Sequence, residues 1–490
     1  MDYETVIGLE VHVELHTKSK LFCNCENRFG APPNSLVCPV CLGLPGTLPV
    51  INEEALNKHI KTALALGCEI ATYSKLDRKN YFYPDMPKNY QISQYDLPLA
   101  IKGELEISDE QGNPRKIGIT RIHIEEDTGK SRHMGDSKSI ASADYTLLDY
   151  NRAGVPLLEI VSEPDMSSPE EAYNYLVNLK KILTWLEVSD CKMEEGSLRC
   201  DANISLRPMG SKKLGCKVEI KNMNSFRGVR NALEFEVKRQ KELLEDGKKI
   251  VQETRGWEDD KGLTISMRSK EEAHDYRYFP EPDLPPIKVG QDWLQDIQSK
   301  LPEMPKDMAQ RLVRQYDIPE YDSEVLTSSR QLAKFFEKSA KIAQNPKQVS
   351  NWLMGDISAY LNSKDMKITR TELKPEALGK MVKLIDEEVI SGKIAKKLIK
   401  VLLEKGGDPE KIVEENCWKQ ITSKRELRPL IDKVIEENNQ AVQDYLEGRE
   451  SIKQFLVGQV MKASRGKASP KFANTFLDEA LAEKNQGQGG

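Results

Sequence analysis

Thr5 to Leu15 reads TVIGLEVHVEL, and its alternation decides the fold of the stretch that follows. Ile7, Leu9, Val11, Val13 and Leu15 take every second position, which on a strand places them on one face, while Glu10, His12 and Glu14 fall on the other. One face is apolar and the other acidic. Ordinary solvent faces mix Lys, Thr, Ser and Glu, so two carboxylates flanking an imidazole at a spacing of roughly 7 Å point to a task beyond solubility.

The pattern returns. In Ile117–Glu126 (IGITRIHIEE), Ile122 and Ile124 alternate with Arg121, His123 and Glu125, and in Pro156–Glu163 (PLLEIVSE) Glu159 interrupts an apolar run. In Cys200–Arg207 (CDANISLR), Ala202, Ile204 and Leu206 oppose Asp201, Asn203, Ser205 and Arg207. In Lys217–Lys221 (KVEIK), Val218 and Ile220 oppose Lys217, Glu219 and Lys221. The expectation is an α+β protein built on a large antiparallel sheet with packed helices, one face apolar and the other wet and charged.

At 490 residues the chain exceeds what one core organises. Its 39% hydrophobic and 30% charged residues describe a soluble protein, with no apolar run long enough for a membrane helix. MDYETVIGL opens directly into a strand without the features of a signal or transit peptide, so a cytoplasmic location is expected. The net charge of −5 excludes a globally basic nucleic-acid binder and leaves local patches open. Nine cysteines fit a reducing compartment better than a disulfide framework. Cys23, Cys25, Cys38 and Cys41 form a Cys-x-Cys and a Cys-x-x-Cys near turns rich in Pro and Gly, a set able to hold a structural zinc with all four positions filled by protein. Cys68, Cys191, Cys200, Cys216 and Cys417 have no partner pattern and are expected as small buried residues.

Three helices punctuate the sheet segments: Asn52–Gly67, Ser168–Val188 with Pro169 at its first position and Glu171 completing a capping box, and Phe226–Leu244. Residues 77–98 (DRKNYFYPDMPKNYQISQYDLP) show no clean period and read as a long polar, aromatic loop of functional character. TGKS at 128–131 resembles the end of a phosphate-binding loop, but the motif's first glycine would fall at Ile124, inside a strand, and a P-loop is rejected. The prolines of Tyr276–Pro286 (YRYFPEPDLPP) mark the end of the sheet region, giving a first domain over 1–292 that contains the 23–41 cysteine loop. Helices follow at Ala309–Tyr316, Ser329–Ile342, Val349–Asn362, Glu376–Glu388 and Ser391–Lys405, and Gly406-Gly407-Asp408-Pro409 suggests a break. This divides the rest into a helical domain, 293–408, and a small helical tail, 409–490. Within the tail, Arg449, Lys453, Lys462, Arg465, Lys467 and Lys471 face a single acid, Glu450, a local excess suited to a polyanion.

Several stretches together resemble one family: IGLEVHVEL, DRKNYFYPDMPKNYQISQYDLP, IHIEEDTGKS, NRAGVPLLEIVSEPD, EGSLRCDANISLRP, EIKNMNSFRGVRNALEFE, YRYFPEPDLPP and, in the tail, GQVMKASRGKASP. They are similar to the B subunits of tRNA-dependent amidotransferases. The resemblance implies a cradle-shaped domain, a helical domain and a tRNA-binding tail. Such a protein works in a heterotrimer with an amidase (glutaminase), the A subunit, and with a small C subunit. The implied activity is that of a glutamine-dependent carbon–nitrogen ligase. The side-chain carboxylate of misacylated Glu-tRNA(Gln) or Asp-tRNA(Asn) is phosphorylated by ATP, and ammonia released by the amidase displaces the phosphate.

Carried over residue by residue, the family's metal site matches Glu10, His12, Glu125 and Glu159, an oxygen-rich set with one imidazole that suits Mg2+ or Mn2+. The resemblance puts Asp201 and Lys217 with Glu125 among the catalytic groups, and Arg199, Asn203 and Lys221 among those holding ATP or the aminoacyl end. Glu14, His123 and Glu126 are expected either behind them, supporting the ligands, or in solvent. It assigns tRNA contact to Lys462, Arg465 and Lys467. No Gly-x-Ser-x-Gly elbow or Cys-His pairing offers a glutaminase on this chain. A rival reading makes the chain a non-catalytic tRNA-binding scaffold of the same complex, which would not need acidic strands converging on an imidazole. A zinc hydrolase working at the four cysteines is excluded because four thiolates leave no open position.

Overall fold

The alternation of Thr5–Leu15 becomes a long strand, β1 (Tyr3–Glu14), at the centre of a nine-stranded sheet. The computed structural model describes residues 2–134, 143–269, 276–447, 449–464 and 466–487. It divides into two units, Met1–Met304 and Pro305–Gly490.

In the first unit the further strands are, in chain order, β2 (Glu69–Ile70), β3 (Tyr73–Ser74), β4 (Asp77–Asn80), β5 (Tyr90–Ser93), β6 (Ala100–Ser108), β7 (Pro114–Glu126), β8 (Lys130–Met134) and β9 (Tyr145–Asp149). They continue with β10 (Pro156–Ser162), β11 (Leu198–Pro208), β12 (Val218–Lys221), β13 (Glu253–Glu258), β14 (Leu263–Ser269), β15 (Phe279–Pro280) and β16 (Ile287–Lys288). The helices are α1 (Glu53–Ala65), α2 (Pro169–Trp185), α3 (Phe226–Glu245) and α4 (Gln291–Ser299).

The large sheet runs β14-β13-β12-β11-β1-β10-β7-β6-β2. Its described pairings are antiparallel except β12 with β13, which are parallel. The all-antiparallel expectation is corrected there for a simple reason: α3 is the crossover between those two strands, and a crossover helix returns the chain in the same direction. Ile7, Leu9, Val11 and Val13 are buried on the apolar face together with Ile122, Ile124, Leu158, Ile160, Ala202 and Ile204. Helices α1, α2 and α3 cover that face. Asn52 caps α1 by accepting from the Glu54 and Ala55 N–H groups, and Ser168 caps α2 by accepting from the Glu171 N–H. The Glu171 carboxylate reaches back to the Ser167 N–H (2.7 Å), one residue before the position a capping box prescribes.

The other face is not simply wet. Residues 77–98, expected as a loop, contain β4 and β5, which join β15 in a small three-stranded sheet. That sheet lies along the end of β7: Gln91 donates to the Glu126 carbonyl, the Ile92 N–H to the Glu126 carboxylate, and the Ile124 N–H to Gln94 Oε1. Arg78 forks onto the buried Glu281 at 2.7 and 2.8 Å, and Tyr95 stacks on Tyr278 with centroids 4.1 Å apart. The charged face therefore has a roof.

The second unit is helical: α5 (Pro305–Tyr316), α6 (Glu320–Leu326), α7 (Arg330–Ala343), α8 (Pro346–Trp352), α9 (Ser358–Ser363), α10 (Pro375–Asp386), α11 (Gly392–Lys405), α12 (Pro409–Glu415), α13 (Lys424–Glu437), α14 (Asn439–Leu446), α15 (Ile452–Ala463) and α16 (Pro470–Gly487). The single helix expected over Val349–Asn362 is interrupted by a π turn, Leu353–Ile357, in which Gly355 leaves helical geometry at φ −94° and ψ −106°. Leu427, Ile431, Val460, Ala473 and Leu477 belong to a local core joining α13, α15 and α16. No described helix is long and apolar enough to cross a membrane.

Candidate active site

Register brings the site together. Residues directly opposite one another on antiparallel strands share a face. Arg199 on β11, His12 on β1, Glu159 on β10 and His123 on β7 are successive partners, and so form one rank across four strands. The adjacent ranks carry Asp201 beside Glu10 and Leu157 beside Glu125.

At the centre, His12 Nε2 lies 3.5 Å from Glu159 Oε2, 3.6 Å from Glu10 Oε1 and 3.9 Å from Glu125 Oε1. Two groupings close enough to share a cation meet at this ring, His12–Glu125–Glu159 and Glu10–His12–Asp201. The Glu125 and Glu159 side chains are 4% and 8% exposed and those of His12 and Glu10 17% and 30%, so the cluster opens on the Glu10 side. Ser93 donates to Glu125 at 3.2 Å, and Arg121 reaches Glu159 at 3.3 Å. Lys79 of β4 stands over the Tyr276 ring at 5.0 Å, within the field of Glu125 and Glu159.

The electrostatics concentrate negative charge around one ring. Burial alone would discharge the His12 ring, but its hydrogen bond with Glu159 and the charges of Glu125, Glu159 and Glu10 lift it to about 9. Burial, then the charge of Glu159, raises Glu125 to about 7 and also raises Glu10. Glu159, despite its burial, is held well below the usual carboxylate range by His123, His12 and Lys79. Three carboxylates and an imidazole, converging in a half-closed cleft, fit a hard divalent ion.

The flanks are ordered by ion pairs. Arg199 turns from its rank to Asp127 (2.7 Å), which Arg152 also approaches at 3.5 Å. Glu14 sits in the same network, lifted to about 8 by burial and the neighbouring Asp127 charge. Lys221 is bonded to Asp201 and lies 3.3 Å from Glu219, which accepts from Thr254 Oγ1 at 2.7 Å. Asn203, on the same face of β11, has a buried side-chain oxygen with no partner among the described residues. Lys217 is exposed one position ahead of β12. His123 is buried beside Glu159, and Glu126 is buried in an ion pair with Lys88, so neither is solvated.

The four early cysteines also converge. Their sulfur atoms all lie within 4.8 Å of one another, a set that could hold a metal. Cys41 is the thiol drawn toward thiolate: chiefly its hydrogen bond with Cys23, with help from the Cys38 N–H and Lys20 against the cost of burial, brings it down to about 5. The cluster packs against the turn at Gly154, where φ is +84° and an added Cβ would stand 3.6 Å from Cys41 Cβ. The Gly154 N–H donates to the Asp127 carbonyl at 2.9 Å, so the cysteine loop buttresses the segment carrying Arg152. Of the cysteines expected to be buried, Cys68, Cys191 and Cys200 are, Cys216 is half-buried and Cys417 is exposed.

In the second unit Lys462, on α15, and Lys467, just beyond it, are exposed. Arg465 lies outside the described residues. Lys79, Asp127, Arg152 and Glu219 were not singled out from the sequence. Each nonetheless lay in a stretch that carried a signal: Lys79 in the aromatic segment, Glu219 on the charged face of KVEIK, and Asp127 and Arg152 within stretches quoted for the resemblance.

Comparison with known proteins gives a consistent result. The family described as "GatB/GatE catalytic domain" matches residues 5–295, and "GatB domain" matches residues 334–481. A protein of Thermoanaerobacter pseudethanolicus, named as the B subunit of an aspartyl/glutamyl-tRNA(Asn/Gln) amidotransferase, is 57% identical over 483 residues, covering 99% of this chain and 100% of the relative. Proteins of the same name from Carboxydothermus hydrogenoformans (55%, covering 98% of this chain and 99% of the relative) and Geobacillus thermodenitrificans (52%, covering 99% and 100%) are similar to it as well.

Proposed function

The chain belongs to the family of aspartyl/glutamyl-tRNA(Asn/Gln) amidotransferase B subunits, and from that premise we propose that its first unit carries the carboxylate-activating step of the reaction. It is a subunit of a glutamine-dependent aminoacyl-tRNA amidotransferase, a ligase of protein biosynthesis. The observation that carries the proposal is the convergence of Glu10, Glu125 and Glu159 on His12, with Asp201 alongside.

These side chains would hold Mg2+ or Mn2+, which when bound supplies charge neutralisation for transfer of a phosphoryl group from ATP to the side-chain carboxylate of Glu-tRNA(Gln) or Asp-tRNA(Asn). Lys221, kept cationic by Asp201 and Glu219, is suited to orienting phosphate oxygens. Arg199, Asn203 and Lys217 border the same face, where Asn203 offers an unsatisfied oxygen. Ammonia would come from an amidase (glutaminase) partner, the A subunit; a small C subunit would complete the heterotrimer in the cytoplasm. The tail (409–490) would bind tRNA through Lys462, Arg465 and Lys467. The four cysteines would hold a structural Zn2+, because all four positions of a tetrahedral ion are filled by protein sulfur.

The test is ammonium-supported, ATP-dependent conversion of Glu-tRNA(Gln) by the reconstituted complex, comparing wild type with Glu125→Ala. Free ammonium bypasses the glutaminase and isolates the step assigned here. Collapse of the rate with tRNA binding retained is expected; an unchanged rate would make the first unit a scaffold.

A further inference from the structure

Lys20 is fully buried (0% exposed), an exceptional position for an ammonium group. Its Nζ has two polar neighbours: the Tyr150 carbonyl oxygen at 3.3 Å and Cys41 Sγ at 3.7 Å. No carboxylate pairs with it among the described residues. Elsewhere in this unit the half-buried cations Lys88 and Arg78 each meet a buried carboxylate, Glu126 and Glu281. A carbonyl dipole and one sulfur offset the dehydration of a full charge less well than an anionic four-sulfur cluster does. Four thiolates around a divalent ion carry a net charge of −2, and among the described residues no carboxylate pairs with the ammonium that faces that cluster.

We infer that Lys20 is the built-in counter-cation of the four-cysteine centre, a positioning residue that sets the affinity for zinc and ties the loaded loop to Tyr150. This rests on the zinc reading of Cys23, Cys25, Cys38 and Cys41. The geometry makes the relation reciprocal. Bound metal supplies the negative charge that justifies burying Lys20, and Lys20 lowers the electrostatic cost of gathering four thiolates in one place. Without metal, the same lysine is left with one sulfur and a carbonyl to offset its burial.

The test uses the full chain. Zinc affinity is measured by competition with a chromophoric chelator for wild type and Lys20→Met, and the stability of the metal-free forms is measured by chemical denaturation. The expectation is opposite signs: Lys20→Met weakens zinc binding roughly ten- to a hundred-fold, as removal of an outer-shell partner does, yet raises the denaturation midpoint of the metal-free protein. Lys20→Gln keeps a donor for the Tyr150 carbonyl without the charge, and is expected to weaken zinc as Lys20→Met does. Equal zinc affinity in Lys20→Met, or wild-type affinity in Lys20→Gln, would overturn the inference while leaving the zinc site standing. A wild-type chain that takes up no zinc would overturn both.

Discussion

Neutralising Glu159 without changing its shape, as Glu159→Gln, is the sharpest probe of the proposed cation site. Its carboxylate is the hub of the cluster, with Oε2 3.5 Å from both His12 Nε2 and His123 Nε2, and Oε1 3.3 Å from Arg121. Its carboxyl is held well below the usual carboxylate range by His123, His12 and Lys79, whereas burial raises Glu10 and Glu125. A unit charge about 3.5 Å from a cation contributes about 5 kcal/mol at an effective dielectric constant near 20. At about 1.4 kcal/mol per factor of ten, the affinity for a singly charged cation would fall by about three orders of magnitude, and for a divalent ion by at least as much. The assay is titration of the full chain with Mn2+, following the free-ion signal by electron paramagnetic resonance, so the result does not depend on catalysis. Denaturation curves for the metal-free variant check that the sheet is intact. Binding within threefold of wild type, in a folded variant, would mean that the cluster is not a metal site, and the role given to the first unit would go with it.

Three further outcomes follow from particular interactions. Arg78→Ala strands Glu281, buried at 3% exposure, without its guanidinium, and should cost about 3–5 kcal/mol in chemical denaturation; a loss below 1 kcal/mol would show that the roof over β7 does not depend on this pair. Burial holds His59 near 3, its Nε2 bonded to the Ile122 carbonyl and its Nδ1 unpartnered among the described residues. Because the folded value lies below the unfolded one, stability is full above about pH 6.5 and falls with acidification by about 1.4 kcal/mol per pH unit from this group; His59→Gln should flatten the slope between pH 6 and 5 by that amount, and an unchanged slope would refute it. Replacing Lys462 and Lys467 by Gln should weaken tRNA binding and reduce the slope of log K against log salt by about one for each phosphate no longer neutralised, with an unaltered slope assigning both to solvent.

The sheet was legible because its central strands alternate strictly. Glu10, His12, Glu125 and Glu159 stood out with their charged neighbours as breaks in apolar periods, the resemblance picked these four from among them, and strand register brings them together. What could not be read depends on partners far apart in the chain. β4 and β5 are four residues each, and β4 pairs with β15 about 200 residues later, too short and too remote for a local pattern. Asp127 and Arg152 look like ordinary loop charges until the Gly154 turn joins them. The parallel pair was within reach: a helix between two short strands is the mark of a crossover, and α3 stands between β12 and β13. Gly355 gave no warning of a π turn, since a lone glycine inside a helical period is commonly tolerated.

The position of β1 also sets the order of events when the protein is made. Thr5 pairs with Leu206 and Val13 with Leu198, while the opposite edge of the same strand pairs with Leu157–Val161. At synthesis rates of about 5–20 residues per second, the nascent strand waits roughly 10 to 40 s before both of its neighbours have left the ribosome. During that interval an alternating strand with two open edges is available to any other chain, and the loop closures that end the wait are among the slow kind. The strand that holds His12 is thus translated before both of its neighbours and secured late, which makes the growing polypeptide, more than the finished protein, the species exposed to wrong pairing.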